Sequence, residues 1–564
     1  MGQRADVAAL VALLAPGRTD AMHERTANAL GSLCSESIEK QDSVRECGGV
    51  AALVALLAAD SSTALHKLAA GVLCAVCAGN TQNQDCVREC GGVAALVALL
   101  APGGPAAAQQ EAAAALCNLC CKNTQNKNCV RWCGGVAKLV GLLAPGHSAA
   151  VHEAAAGALL NLCANSTENK DSIRECGGVA ALVKLLAPGH SAAMHEHAAG
   201  ALRNLCANST ENKDSIRECG GVAALVGLLA PGTSAAVHEQ AAGGLTNLCI
   251  DSTQNAVCVR WCGGIAALVG LLAPGNPAAV RELAAGALRS VCCKDAMNKD
   301  YVRECGGVAA LVALLAPGGS AAVHEEAAGA LGNLTSENEQ CREAVRACGG
   351  VSALVALLAP GGSADVHEEA AGALMNLTSG SEQCREAVRA CGGVAALVAL
   401  LAPGGSAAVH EEAAGALRNL CYESAIIDKD CLRKCGGIAA LVALLAPSGS
   451  AAMHVYAAGA LVNLTSDCEP CREAVRACGG VAALVALLTP GGSADVHVQA
   501  AGALMNLTSE SEQCREAVRA CGGLAALERV LACASSAAAH EWVAAALRNL
   551  GHDQQCVGES GQPG

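Results

Sequence analysis

The chain runs to 564 residues, with 51 acidic and 37 basic side chains and a formal net charge of −14. Apolar residues make up 52%, yet Phe, Trp and Tyr together reach only 1%, with no Phe at all. That length is three to four times an ordinary domain, the charge argues against a nucleic-acid footprint, and any core must be built from Ala, Leu, Val and Cys.

Met1–Asp6 lacks the apolar run of a signal peptide. Met1-Gly2 opens a myristoylation pattern, but Asp6 stands where that pattern takes Ser or Thr. Apolar stretches such as Val308–Ala316 stop at a proline, well short of a membrane span. These features imply a cytoplasmic chain with no direct membrane span and no nucleic-acid partner. Nuclear residence, or peripheral attachment to a membrane through partners, is the alternative.

From Cys47 onward one tripeptide, Cys-Gly-Gly, recurs at Cys47, Cys90, Cys133, Cys176, Cys219, Cys262, Cys305, Cys348, Cys391, Cys435, Cys478 and Cys521. Ten of the eleven intervals are 43 residues, and the step from Cys391 to Cys435 is 44. One step back from Cys47 reaches Arg4, so about thirteen units fill residues 1–564 as a single array. The polar, Gly-containing stretch 551–564 reads as a frayed tail. The chain starts within a unit and ends soon after one, which predicts further sequence at the ends or end-to-end association. The units opening at Cys133 and Cys176 differ at five positions, as do those opening at Cys348 and Cys478. Such likeness points to recent duplication, so recurrence alone is weak evidence that a residue has a function.

The unit opening at Cys391 predicts three helices. Gly392-Gly393 breaks the chain, and Val394–Ala402 is a short apolar helix ended by Pro403-Gly404-Gly405. Ser406 is a good N-cap for a longer helix reaching about Cys421, with Val409, Ala413, Leu417 and Leu420 at helical spacing. A third helix covers about Asp428–Lys434. The proline recurs from Pro16 to Pro490, missing only at Ala59 and Cys533. One such unit cannot bury its apolar face alone, so stacking is required.

The run Cys-Gly-Gly-Val-Ala-Ala-Leu-Val-Ala-Leu-Leu, followed by Val-His-Glu-Glu-Ala-Ala-Gly-Ala-Leu-Arg-Asn-Leu, resembles an armadillo repeat over nearly the whole chain. In style the array is most similar to vacuolar-type and plant-like armadillo scaffolds. The resemblance implies an all-α fold, a right-handed α-solenoid of about thirteen 43-residue three-helix repeats. It also implies a non-enzymatic scaffold with no cofactor, which binds extended or helical segments of other proteins in a concave groove. In the family, an Asn on the groove-lining helix bonds the backbone of an extended peptide. The matching positions are Asn118, Asn161, Asn204, Asn247, Asn333, Asn376, Asn419, Asn463, Asn506 and Asn549, with Ser32, Ala75 and Ser290 interrupting the series. A carboxamide offers a peptide unit both a donor and an acceptor. The competing reading, of equal weight, is that this Asn bonds the neighbouring repeat and holds the stack.

Nuclear-import adaptors of the family carry Trp four residues before that Asn. Here the positions are Gly157, Gly200, Gly243, Gly329, Gly372, Gly415, Gly459 and Gly502, with Ala114 and Ala545, so a transport-adaptor role is disfavoured. None of Trp132, Trp261 and Trp542 replaces that array. Glu325-Glu326, Glu368-Glu369 and Glu411-Glu412 open the Asn-bearing helix in three successive repeats. The resemblance places Glu326, Glu369 and Glu412 in the groove, where they would favour a basic partner segment. The plainer reading is first-turn acids stabilising a helix dipole.

Histidine recurs at matching positions, at His23, His66, His152, His195, His238, His324, His367, His410, His454, His497 and His540. Neighbouring copies lie about 10 Å apart, one helix diameter, too far to share a metal whose ligands bind at about 2 Å. Packing or helix-start polarity is the expected role. The 35 cysteines read as reduced packing residues rather than a disulfide framework. Cys74/Cys77, Cys117/Cys120 and Cys468/Cys471 have Cys-x-x-Cys spacing, and Cys86/Cys90, Cys129/Cys133, Cys258/Cys262 and Cys431/Cys435 are four apart. None has the flanking ligands of a zinc knuckle, which leaves a metal- or redox-responsive protein as a minor alternative. No dinucleotide fingerprint, P-loop or nucleophile elbow is present, so no catalytic residue and no metal ligand is assigned.

Overall fold

The computed structural model describes residues 2–58, 61–422, 426–533 and 537–551. Ala59 and the tail at 552–564 lie outside them, as does the side chain of Cys533. Among the described residues the fold is all-α, with no β-strand. The same three-helix order repeats throughout. In the repeat around Cys391 a short helix, Glu382–Ala390, precedes an apolar helix, Gly393–Leu400, and a long helix, Ala407–Leu420. The third helix expected over about Asp428–Lys434 is Ile426–Lys434.

Two glycines make each break, for different reasons. Gly392 has φ +76° and ψ 17°, a left-handed conformation that favours glycine. Gly393 has helical backbone, but a Cβ there would lie 2.5 Å from Val388 Cγ1 and 2.8 Å from the Val388 carbonyl oxygen. The first glycine turns the chain and the second lets two helices touch.

Serine caps start most long helices: the hydroxyls of Ser148, Ser191, Ser234, Ser320, Ser363 and Ser450 accept from the backbone N–H three residues on. Ser406 occupies the same position but makes no such bond. Its ψ of 137° and that of Ser493, 134°, fall short of the 149–157° seen where the bond forms.

The histidines close the turn before most long helices. Nε2 of His152, His195, His324, His367 and His410 lies 3.1 Å from a carbonyl oxygen eight residues back. A carbonyl only accepts, so the ring nitrogen donates. Gln109 replaces the histidine in one repeat and donates to Ala101 O at 2.9 Å.

The chain divides into two compact units, Met1–Val291 and Cys292–Gly564. In the first, the long helices Asp20–Glu36, Thr63–Cys77, Ala106–Cys120, Ala149–Cys163, Ala192–Cys206 and Ala235–Cys249 each pack on the next. In the second, Ala321–Thr335, Ala364–Thr378, Ala407–Leu420, Ala451–Thr465, Ala494–Glu510 and Ala537–Asn549 do the same. Each unit thus has its own run of buried Ala, Leu and Val.

Among the described residues the cysteines are free thiols, and the expectation that they are packing residues holds for only some of them. Those two residues after the ladder Asn, such as Cys120, Cys163 and Cys206, are wholly buried. Most of those in the Cys-Gly-Gly break, including Cys176, Cys348 and Cys391, are exposed. The break closes a short helix at the surface, so nothing packs over that side chain.

Candidate functional site

The site expected from the sequence is the face carried by the long helices. Every ladder Asn is half-buried near the C-terminal end of its helix. In the first unit, Nδ2 of Asn118, Asn161, Asn204 and Asn247 donates to the carbonyls of Cys74, Cys117, Leu160 and Arg203 at 2.9–3.2 Å. In the second, Asn376, Asn419, Asn463, Asn506 and Asn549 donate to Gly332, Met375, Arg418, Val462 and Met505 at 2.9–3.3 Å. Each acceptor sits immediately before the equivalent Asn position of the preceding repeat. The carboxamide nitrogen thus tethers adjacent repeats, and the carboxamide oxygen takes no part in these bonds. Asn333 occupies the matching position on Ala321–Thr335.

The glycines that stand where import adaptors carry Trp form a floor crossed by neighbouring side chains. A Cβ at Gly200 would meet Leu160 at 3.0 Å from one side and Gln240 at 3.2 Å from the other. At Gly459 the neighbours are Arg418 at 2.8 Å and Gln499 at 3.1 Å. Gly157 faces His197 at 3.3 Å, Gly372 faces Glu412 at 3.1 Å, and Gly415 lies between Met375 and Tyr456. These neighbours are the positions that vary from repeat to repeat. Glycine is what lets them lie across the face, and a Trp at these positions would collide with them.

One indole does reach the floor. The ring of Trp542 fills the space a side chain at Gly502 would need. The sequence places it only in the last repeat, because the contact joins residues 40 apart in different repeats. Trp132 and Trp261, by contrast, are 74% and 80% exposed at the ends of short helices.

The acidic positions converge in the second unit. Burial lifts the Glu412 carboxyl to about 7, with Glu411, Glu368 and Glu369 adding repulsion. Its Oε2 is buried without a hydrogen-bond partner. Glu411 accepts from the Ser450 hydroxyl of the next repeat at 2.9 Å. The Tyr456 phenol is pushed up by burial and by Glu412 and Glu411. Glu326 is half-buried two repeats before Glu412, on Ala321–Thr335.

Sequence reasoning missed a set of cations that brace the short helices. Lys170 and Lys213 are buried and donate to the carbonyls of Ala207 and Ile250 at 2.7 and 2.6 Å, 37 residues ahead. In later repeats Arg385 and Arg472 instead donate to Thr378 and Thr465, seven residues back. The recurring basic residue in the short helix was the available signal.

Among the described residues no group of three or more His, Cys, Asp or Glu is arranged to hold a metal ion, and no helix is long and apolar enough to cross a membrane.

Stacked three-helix repeats with a tethering Asn on the long helix define a class, and comparison with known proteins gives the family. Residues 80–121, 166–207, 209–250, 295–336, 338–379, 381–422, 428–466 and 468–509 match the Armadillo/beta-catenin-like repeat. The chain belongs to the armadillo-repeat family. No curated protein matches it. A crystal structure described as that of an engineered protein is 33% identical with a TM-score of 0.68, and the match covers 74% of this chain and 99% of that one. A second engineered protein is 32% identical over 43% of this chain and 96% of its own, with a TM-score of 0.40. Armadillo repeats generally bind other proteins.

Proposed function

We propose that this protein is a non-enzymatic scaffold that binds extended segments of partner proteins along the Asn-bearing helices, and that a basic segment docks near Glu368, Glu369, Glu411 and Glu412. The observation that carries the reading is the contrast between a copied frame and changing side chains over the glycine floor, where residues as different as His197, Gln240, Glu412 and Tyr456 occupy one structural position. The ladder Asn contributes its oxygen as an acceptor for a bound backbone N–H, since its nitrogen is engaged with the preceding repeat. A crowded carboxylate with a raised protonation point gains from a Lys or Arg partner, which would relieve the repulsion. A floor filled by neighbouring side chains offers no regular aromatic shelf for an import signal. A compartment that keeps thiols reduced, such as the cytoplasm, suits the free cysteines.

The test is fluorescence anisotropy with a labelled, extended Lys-rich peptide, and an acidic peptide as control. The variant carries Glu369→Gln and Glu412→Gln, which preserve shape. Binding of the basic peptide should weaken at least tenfold in the variant and fall with added salt. Equal affinity for both peptides, or for both proteins, would remove the basic-segment assignment.

A further inference from the structure

One Cys-x-x-Cys pair differs from every other cysteine in its placement. Cys468 is the N-cap of the short helix Glu469–Ala477, and Cys471 is its third residue. In the equivalent repeats Asn338, Ser381 and Ser511 fill the cap, and each side chain accepts from the N–H of Cys341, Cys384 or Cys514 at 2.9, 3.3 and 3.2 Å. Cys468 makes no such bond. The residue before the second cysteine is Gln340, Gln383 or Gln513 in those repeats and Pro470 here. Two departures from the copied unit therefore fall in one four-residue segment, Cys468-Glu469-Pro470-Cys471, and one of them removes a capping interaction.

What the segment gains is a second thiol beside the first. The Cys468 sulfur lies beside the Cys471 thiol and, after burial, is the next cause that raises its protonation point. Residues three apart at a helix start have Cα atoms about 5 Å apart, inside the span of roughly 4.4–6.8 Å that a disulfide bridges. The pair is buried, at 2% and 0% exposure, but Asp467, Glu469 and Pro470 around it are exposed. It therefore lies one side chain below the surface, at a helix start flanked by exposed residues. Lys429 and Arg433 of the preceding repeat supply positive charge beside the thiols, and Cys421 is the other sulfur nearby.

We infer that Cys468 and Cys471 form a redox site, a dithiol that a hydroperoxide converts to an intrahelical disulfide. The Cys468 sulfur attacks one peroxide oxygen, the O–O bond breaks, and the Cys468 thiol proton leaves with the departing hydroxyl as water, giving a sulfenic acid at Cys468. The Cys471 sulfur then attacks the Cys468 sulfur, the S–O bond breaks, and the Cys471 proton leaves with the hydroxyl as a second water. Two thiols supply two electrons to one hydrogen peroxide, with one disulfide and two waters as products. Cys468, at the helix cap between the exposed Asp467 and Glu469, is the sulfur oxidised first, and the wholly buried Cys471, one turn further in, resolves it. The disulfide would fasten the helix start that the other repeats fasten with a hydroxyl or carboxamide.

The experiment treats the reduced full chain with graded hydrogen peroxide, then blocks remaining thiols with N-ethylmaleimide in denaturant. Digestion with trypsin and an Asp-specific protease releases Asp467–Arg472, a peptide with only these two cysteines. The expected product is this peptide two mass units light and unlabelled, at doses where Cys384 and Cys514 are still labelled. Its rate should exceed theirs at least tenfold. Cys468→Ser restores the residue type found at Ser381, and circular dichroism verifies its fold. In that variant Cys471 should oxidise no faster than Cys384. Oxidation of the pair at the rate of Cys384, separate sulfinic acids, a bridge from Cys471 to Cys421, or undiminished Cys471 oxidation in Cys468→Ser would each overturn the assignment.

Discussion

Replacing Asn376 separates stacking from ligand binding. Its Nδ2 donates to Gly332 O at 3.1 Å, and that same oxygen also accepts from Ser336 N at 3.1 Å. Asn376→Ala therefore removes one neutral hydrogen bond without orphaning its acceptor, and should cost about 1 kcal/mol. Asn376→Asp puts a carboxylate against a carbonyl oxygen. At an effective dielectric constant of about 20 the repulsion from that dipole adds about 0.5–1 kcal/mol. A negative charge in the last turn of Ala364–Thr378 adds about 0.3–1 kcal/mol more. Asp should thus destabilise locally by about 2–3 kcal/mol. Repeat arrays need not unfold in one step, so the assay is native-state hydrogen exchange read by mass spectrometry. Amides of Ala321–Thr335 and Ala364–Thr378 that exchange by local opening should speed up about fivefold in the Ala variant and at least thirtyfold, roughly, in the Asp variant. Unchanged exchange in both would mean the Asn contributes nothing to the stack. Loss of a partner by Asn376→Ala could then be assigned to direct contact.

Three further outcomes are expected. Glu412 has its protonation point raised to about 7 from the ordinary 4.5, so the stability it contributes is full below about 4.5 and is lost as pH rises through 7. Glu412→Gln should flatten that slope in thermal melts and stabilise the protein at pH 8 by under about 1 kcal/mol, because a partly exposed carboxylate is screened; an unaltered slope would refute this. Gly392→Ala should cost about 1–2 kcal/mol for its left-handed backbone, whereas Gly393→Ala, which meets Val388 Cγ1 at 2.5 Å, should cost about 1–3 kcal/mol in overpacking. A combined Val388→Ala should recover part of the cost at Gly393 and none at Gly392, as read by denaturant titration. His367→Gln should stay within about 0.5 kcal/mol of wild type, because Gln109 makes the same bond in its repeat, while His367→Ala should cost about 1 kcal/mol.

The helices and their breaks were legible because they depend on signals a few residues long: glycine pairs, prolines, serine caps and apolar spacing. The armadillo assignment followed from the same short motifs. What could not be read were bonds between repeats. Nothing local to Asn161 reveals that its partner is the Cys117 carbonyl, 44 residues back. The histidine bond spans only eight residues, yet it depends on the turn folding the carbonyl back onto the next helix, which spacing alone does not show. The cysteines divided by exposure for a similar reason: Cys163 and Cys176 are equally small and apolar, and only the packing around them distinguishes the two. The acidic cluster was half legible. The columns of Glu were plain, but the crowding on Glu412 required knowing how far its helix leans over Gly372.

The Asn tether has an implication for how such a chain can change over generations. Its acceptor is a main-chain oxygen, which every residue carries, so any unit can follow any other. A crossover between near-identical units, displaced by one period, adds or removes a repeat and leaves each Asn-tethered junction chemically the same. Even imperfect copying is absorbed: where the spacing slips from 43 to 44 residues between Cys391 and Cys435, Asn463 still reaches its carbonyl, at Arg418, across 45 positions at 3.0 Å. Slippage in copy number is therefore a tolerated mutation, and side chains over the glycine floor can diversify afterwards without renegotiating how the units join.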